Sequence, residues 1–266
     1  PASSLRGNSM LLAIDIGNTN VVFGVHDGDT WLHYWRVRTV REKMPDEYGM
    51  LLRALLAEIG LTMAAFDRVA LASVVPPLTG RMEEMLAEQT QVDPLVISHT
   101  VNTGLTFAVD NPREVGADLI ANAVAAYTRV QGACIVVDFG TATTFTAVSH
   151  DAAFLGVAIA PGLNLAASAL AGGTAQLPQI RLSAPAKAIG TNTIHSIQSG
   201  VLLGYVGLVE GMIDRFRAEI PGDVQVIATG GLSSVIAHLT DRFSAVDPWL
   251  TLDGIRIIGE RSLPQA

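Results

Sequence analysis

Two carboxylates in matching settings carry the chemistry that this chain suggests most directly. Asp15 stands in Ala13-Ile14-Asp15-Ile16-Gly17-Asn18-Thr19-Asn20, and Asp138 in Val136-Val137-Asp138-Phe139-Gly140-Thr141-Ala142-Thr143-Thr144. In each, an apolar run rich in β-branched residues reads as a buried strand, and the Asp at its end precedes a Gly and a hydroxyl-rich turn. A carboxylate at the end of a buried strand is costly unless solvated, paired or bound to a cation. Hydroxyls and backbone N–H groups of the adjoining turn can face phosphate. Gly17, Asn18, Thr19 and Asn20, and likewise Gly140, Thr141 and Thr143, are therefore candidate phosphate donors. Asp15 and Asp138 are candidates for holding Mg2+, a monovalent cation or the water shells of bound phosphates. An Asx-turn cap is the alternative for one copy; two copies point to a duplicated domain with phosphate loops facing one cleft.

A third carboxylate lies in Asp110-Asn111-Pro112-Arg113-Glu114-Val115-Gly116-Ala117-Asp118-Leu119-Ile120. Pro112 and Glu114 suit a helix start, whereas Gly116 early in that helix carries a propensity cost. At the joint of the two halves, Asp118 is a candidate general base for a substrate hydroxyl. A carboxylate that only favours the helix dipole, or is solvated, is the alternative reading.

Positioning these groups requires strands that end at each Asp. The patterning predicts strands over 11–16, 21–26 and 31–38, a helix over 45–59, a strand over 68–75 ended by Pro76-Pro77, a helix over 80–89, a short strand over 94–98 and a helix over 114–130. The second half repeats the order: strands over 133–138, 143–149 and 154–160, helices over 163–171 and 194–219, a strand over 224–229 and a helix over 233–239. Gly200, Gly204 and Gly207 fall near one face of the 194–219 helix and allow close backbone approach. This is an α/β chain with two tandem, duplicated mixed-sheet domains, over 10–112 and 133–266, joined by a helix over 113–132. Residues 1–9 read as a leader or cloning remnant.

Composition narrows the function. A net charge of −8 argues against nucleic acid and anionic membranes as partners. Lys43 and Lys187 are the only lysines and neither follows a glycine-rich phosphate loop, so there is no P-loop. Cys134, the single cysteine, sits in an apolar run; it reads as core and fits a reducing cytoplasm. No stretch approaches the roughly 18 uninterrupted apolar residues of a membrane span. The six histidines lack ligand spacing, and no Gly-x-Ser-x-Gly elbow occurs.

The order β-β-β-α-β-α-β resembles the actin/hexokinase/Hsp70 superfamily, whose members clasp ATP between two ribonuclease H-like domains. Asp15-Ile-Gly-Asn-Thr, Asn111-Pro-x-Glu-x-Gly-Ala-Asp118, Asp138-Phe-Gly-Thr-Ala-Thr, Ala160-Pro-Gly-Leu and Ile197-Gln-Ser-Gly, in that order, resemble the type III pantothenate kinases from Met10 onward. Thr229-Gly-Gly is similar to the superfamily's adenosine-side motif. The resemblance implies ATP-dependent phosphorylation of pantothenate to 4'-phosphopantothenate, the first step of coenzyme A biosynthesis, by a cytoplasmic homodimer using Mg2+ with K+ or NH4+. It implies ATP contacts at Asp15, Ile16, Gly17, Asn18, Thr19, Asn20, Val21, Val22 and Thr141, a base at Asp118 and a monovalent cation at Asp138. Substrate contacts carry over to Thr193 and to Val109, Gly116, Ala117, Asp118 and Leu119.

Three positions depart from the family pattern. Leu119 stands where an Arg usually follows Gly-Ala-Asp, Val109 where a Tyr usually precedes Asp-Asn-Pro, and Gly156-Val157 where Gly-Gly is usual. If the missing Arg paired with a substrate carboxylate, its loss costs about 1.5–3 kcal/mol of binding, and Arg113 is a candidate replacement. The departures leave two alternatives: a kinase for another small hydroxyl-bearing acceptor, or a nucleotide-binding paralogue that regulates a partner.

Overall fold

The computed structural model describes residues 9–174 and 177–262, so all of the expected leader except Ser9 lies outside the described residues. Two compact units emerge. The first comprises the chain to Leu105, Asp110–Ala125 and the segment from Leu250 onward; the second comprises Thr106–Val109 and Ala126–Trp249.

In the first unit, β1 (Leu11–Ile16) pairs antiparallel with β2 (Asn20–His26), which pairs antiparallel with β3 (Trp31–Arg38). On its other edge β1 pairs parallel with β4 (Arg68–Ser73), and β4 with the two-residue β5 (Leu95–Val96). The sheet order is β3-β2-β1-β4-β5. β1 is buried on both faces, which is why its sequence is a continuous apolar run rather than an alternation. One face, with Leu12, Ile14, Ile16 and Phe23, packs in one core with Leu52 and Leu56 of α1 (Pro45–Glu58) and Leu86 of α2 (Pro76–Thr90). In α1 the Glu47 carboxylate accepts from the backbone N–H of Met44, capping the helix start. α2 begins at Pro76, four residues before the predicted start. The prolines read as a strand terminator also open the helix, where a missing N–H costs nothing.

α3 (Ala117–Val130) passes from the first unit into the second, and the last helix, α8 (Leu250–Ser262), packs on β1 and β4. The predicted boundary assigned all of 133–266 to the second domain. α8 instead belongs to the first unit, because its Leu250, Leu252, Ile255 and Ile258 are buried there and Trp31 Nε1 donates to Asp253 Oδ1 at 2.8 Å. A β-carbon at Gly254 would lie 1.9 Å from the carbonyl oxygen of Ala121 on α3. Gly254→Ala is therefore expected to push α8 off α3 and destabilise the protein by about 1–3 kcal/mol, read as a lowered denaturant midpoint.

The second unit repeats the topology. β7 (Cys134–Phe139) pairs antiparallel with β8 (Ala142–Val148), β8 antiparallel with β9 (Ala153–Pro161), and β7 parallel with β10 (Gln225–Thr229), which pairs parallel with β11 (Ala245–Val246). β6 (Thr106–Phe107) adds to β9, giving β11-β10-β7-β8-β9-β6. Without β6 this is the order of the first sheet. The helices are α4 (Leu163–Gly172), α5 (Thr193–Gln198), α6 (Gly204–Glu219) and α7 (Ser233–Ala237). The core joins Ile135, Val137 and Phe139 to Leu202, Val209 and Ile213. Burial pushes the Cys134 thiol up to about 12, so it is an inert core group.

The helix predicted over 194–219 is α5 and α6 joined by a π-helical turn, Ser199–Leu203. Gly200, Gly204 and Gly207 are exposed, and a β-carbon at any of them would meet nothing within 4 Å. Among the described residues, no element approaches them closely. By length and composition alone, Thr193–Glu219 is apolar enough to cross a membrane.

Candidate active site

The first candidate phosphate loop is a tight hairpin. Gly17 donates its N–H to Asn20 O at 2.9 Å, and a β-carbon at Gly17 would stand 3.1 Å from that oxygen. Thr39, just past β3, braces the turn from outside: its hydroxyl donates to Gly17 O at 2.7 Å and its N–H to Thr19 O at 2.9 Å. Asn18 and Thr19 are exposed, and Asp15, Gly17 and Asn20 half-buried. Ile16, Val21 and Val22 are buried, so they meet a ligand at this loop only through their backbone. Arg41 Nη2 donates to Asn18 Oδ1 at 2.8 Å, which sets an exposed guanidinium beside the loop. Neither Thr39 nor Arg41 was legible as part of the site, since the turn that returns them lies some twenty residues along the chain.

Asp118 sits in the first turn of α3, in the same unit as this loop. Val74 links the two: its N–H donates to Ile16 O at 3.1 Å, while its Cγ1 would be 3.5 Å from a β-carbon at Gly116. That same β-carbon would be 2.6 Å from Asp118 Oδ1, so the glycine that looked costly for a helix makes room for the carboxylate. Asp118 Oδ1 accepts from Leu119 N–H at 2.8 Å. Burial raises the Asp118 pKa from its ordinary value, outweighing the opposing pull of backbone hydrogen bonds. The helix predicted from 114 begins at Ala117, after a single turn over Pro112–Glu114 capped by the Asn111 side chain. Ala117 and Leu119 are buried, and Arg113 is exposed.

The second candidate phosphate loop belongs to the second unit. Gly140 and Thr141 are exposed at the β7–β8 turn. Gly162, ahead of α4, donates its N–H to Thr141 O at 3.2 Å, and a β-carbon there would lie 2.2 Å from that oxygen. Asp138 is half-buried, and a β-carbon at Gly230 would lie 2.4 Å from its Oδ1. Parallel pairing of β7 with β10 thus sets the Thr229-Gly230-Gly231 turn against the Asp138 carboxylate, two motifs that the sequence presents as separate. Beyond that turn lies a cavity of about 330 Å3 lined by Leu163, Ser168, Gln179, Arg181, Leu232 and Val235. In the same unit Thr193 is exposed at the start of α5, where Asn192 caps the helix through the backbone N–H of His195, and Val109 is half-buried.

Among the described residues no three His, Cys, Asp or Glu side chains form a metal-binding group. One carboxylate with substrate phosphates is a common way of holding Mg2+, so the absence of such a group does not bear on whether the metal is used. Strand-end carboxylates, hydroxyl-bearing turns and a half-buried acid are groups that phosphoryl transfer to an alcohol can use.

The family model of the type III pantothenate kinases matches residues 11–215. The type III pantothenate kinase of Moorella thermoacetica is 48% identical over 253 residues, covering 95% of this chain and 100% of that protein. Those of Myxococcus xanthus and Geobacillus kaustophilus are 47% and 44% identical over 95% of this chain. Among solved structures, (R)-2-hydroxyglutaryl-CoA dehydratase component A of Acidaminococcus fermentans aligns with a TM-score of 0.54 at 14% identity, over 95% of this chain and 96% of that one. The ethanolamine utilization protein EutJ of Carboxydothermus hydrogenoformans gives 0.54 at 14%, over 96% and 92%. These structural neighbours share the fold, while the sequence relatives are far closer. With two ribonuclease H-like sheets and a family match across both, this chain belongs to the type III pantothenate kinases.

Proposed function

We propose that the protein transfers the γ-phosphoryl group of ATP to the primary hydroxyl of pantothenate, giving 4'-phosphopantothenate for coenzyme A biosynthesis. Asp118, half-buried beside the first phosphate loop with a raised pKa, is the observation that carries this reading. Asp118, whose burial raises its basicity, takes the proton as the hydroxyl attacks, and the loops meet the phosphate charge with N–H and hydroxyl donors. Asp15, Gly17, Asn18, Thr19, Asn20 and Thr141 bind the phosphates, with Ile16, Val21 and Val22 contributing backbone. The nucleoside enters the cavity beside Leu232 and Val235. Mg2+ near Asp15 and a monovalent cation, K+ or NH4+, at Asp138 supply positive charge to the phosphates when bound.

On the acceptor side, Val109, Gly116, Ala117, Leu119 and Thr193 are assigned to pantothenate. The buried Leu119 leaves the carboxylate without the family's Arg, and Arg113 is the exposed cation nearest in sequence. The protein works as a cytoplasmic homodimer, without nucleic acid or membrane. Support for self-association comes from the α5–α6 face, where Ile194 and Leu208 are exposed beside three glycines with open space around them.

Release of ADP with pantothenate, against a panel of other hydroxy acids and amides, tests the acceptor. Turnover confined to pantothenate is expected; turnover with another acceptor alone would replace it. Arg41 also pairs with the phosphates from beside the loop, so Arg41→Ala is expected to raise the KM for ATP about tenfold with a smaller change in kcat, as steady-state kinetics would show.

A further inference from the structure

The two phosphate-loop carboxylates differ in their neighbours across the sheet. Asp15 is flanked in register by Val22 on β2 and Ala72 on β4. Asp138, at the equivalent place, is flanked by Thr144 on β8 and Thr229 on β10. Residues in register on adjacent strands project to the same face with β-carbons about 4.5–5.5 Å apart. The face is the one away from the helix-covered core, since Val137, Phe145 and Ala228, each next in sequence to one of the three, belong to that core. Thr229 is 1% exposed, and the hydroxyl oxygens of Thr144 and Thr229 are both buried without a hydrogen-bond partner. A buried hydroxyl left unpartnered is destabilising, and a native fold rarely tolerates two on one row.

We propose that Thr144 Oγ1 and Thr229 Oγ1 complete, with the Asp138 carboxylate, an all-oxygen cradle that binds the monovalent cation and selects it over a divalent one. This rests on the assignment of that cation to Asp138 above. Two neutral hydroxyls and a single carboxylate are hard oxygen donors with one negative charge between them, which suits a weakly hydrated singly charged ion. The first sheet has no such row, with Val22 and Ala72 in those places, so the two halves of the duplication have divided their work: Asp15 serves the phosphates and their Mg2+, and Asp138 the monovalent ion.

The test is the melting temperature as K+ replaces tetramethylammonium at constant ionic strength, with and without a non-hydrolysable ATP analogue, for the wild type, Asp138→Asn, Thr144→Val, Thr229→Val and Thr229→Ser. A K+-specific rise is expected in the wild type, absent in Asp138→Asn. Its half-saturating K+ concentration should move up at least about tenfold in either Val variant and much less in Thr229→Ser. In K+-free buffer the Val variants should melt no lower than the wild type, since valine removes an unpartnered hydroxyl at nearly equal volume. Val variants with a wild-type K+ response, beside an unresponsive Asp138→Asn, would overturn the role of the hydroxyls and leave the ion at Asp138. A wild type indifferent to K+ in both conditions would overturn both.

Discussion

Asp118→Asn is expected to lower kcat/KM for pantothenate about a thousandfold while ATP-analogue affinity stays within about twofold. Asparagine keeps the shape and can still accept from Leu119 N–H through its amide oxygen, but it cannot take a proton. The pH dependence follows from burial, which raises the pKa of Asp118. Catalysis needs the ionised form, so wild-type kcat/KM should fall on acidification at a pH above the ordinary aspartate range. Stability runs the other way. With its pKa raised in the folded state, the folded protein holds the proton more tightly than the unfolded chain. That contribution is fully present below the unfolded pKa and is lost as pH rises through the folded one. Asp118→Asn should therefore be at least as stable as the wild type at neutral pH, with the difference vanishing in acid, as denaturant titrations at several pH values would show.

Gly230→Ala should harm both stability and turnover. The residue has φ 88°, where a side chain is strained, and its β-carbon would lie 2.4 Å from Asp138 Oδ1 and 2.7 Å from Phe139 N. A loss of about 1–3 kcal/mol in stability is expected from strain and crowding. A fall of at least about tenfold in kcat/KM is expected from displacing the carboxylate. Gly222 is the matching control: it has φ 87° and nothing within 4 Å of a β-carbon. Gly222→Ala should cost stability by strain alone and leave kcat/KM near wild type. Equal activity losses in the two variants would remove the special role of the Gly230–Asp138 contact.

The parts of this fold that sequence makes legible are those whose patterning is local. β1 and β7 declare themselves because strands buried on both faces are continuous apolar runs. The duplicated order follows from the two Asp-x-Gly turns. The two-residue strands β5, β6 and β11 are too short to show a period, and of them only the region of β5 was predicted as strand. α8 went unassigned, and its place in the first unit is decided by the bare face of β1 and β4, a tertiary matter. Of the candidate site residues, Asp15, Asp118 and Asp138 stand out in the sequence by type and setting. The contact of Gly230 with Asp138, the bracing by Thr39 and the placement of Arg41 depend on strand pairing and turns that join distant segments. Leu119 reads differently too: it is a buried helix residue that fills core, which its sequence setting alone does not show.

The most direct measurement is mass-spectrometric detection of the product formed by the purified protein with ATP, Mg2+, K+ and millimolar pantothenate, beside Asp118→Asn under the same conditions. 4'-Phosphopantothenate accumulating in step with ADP in the wild type, and nearly absent in the folded, ATP-binding variant, is the predicted result. A folded, nucleotide-binding wild type that makes no phosphorylated pantothenate, or a variant that makes as much, would contradict it.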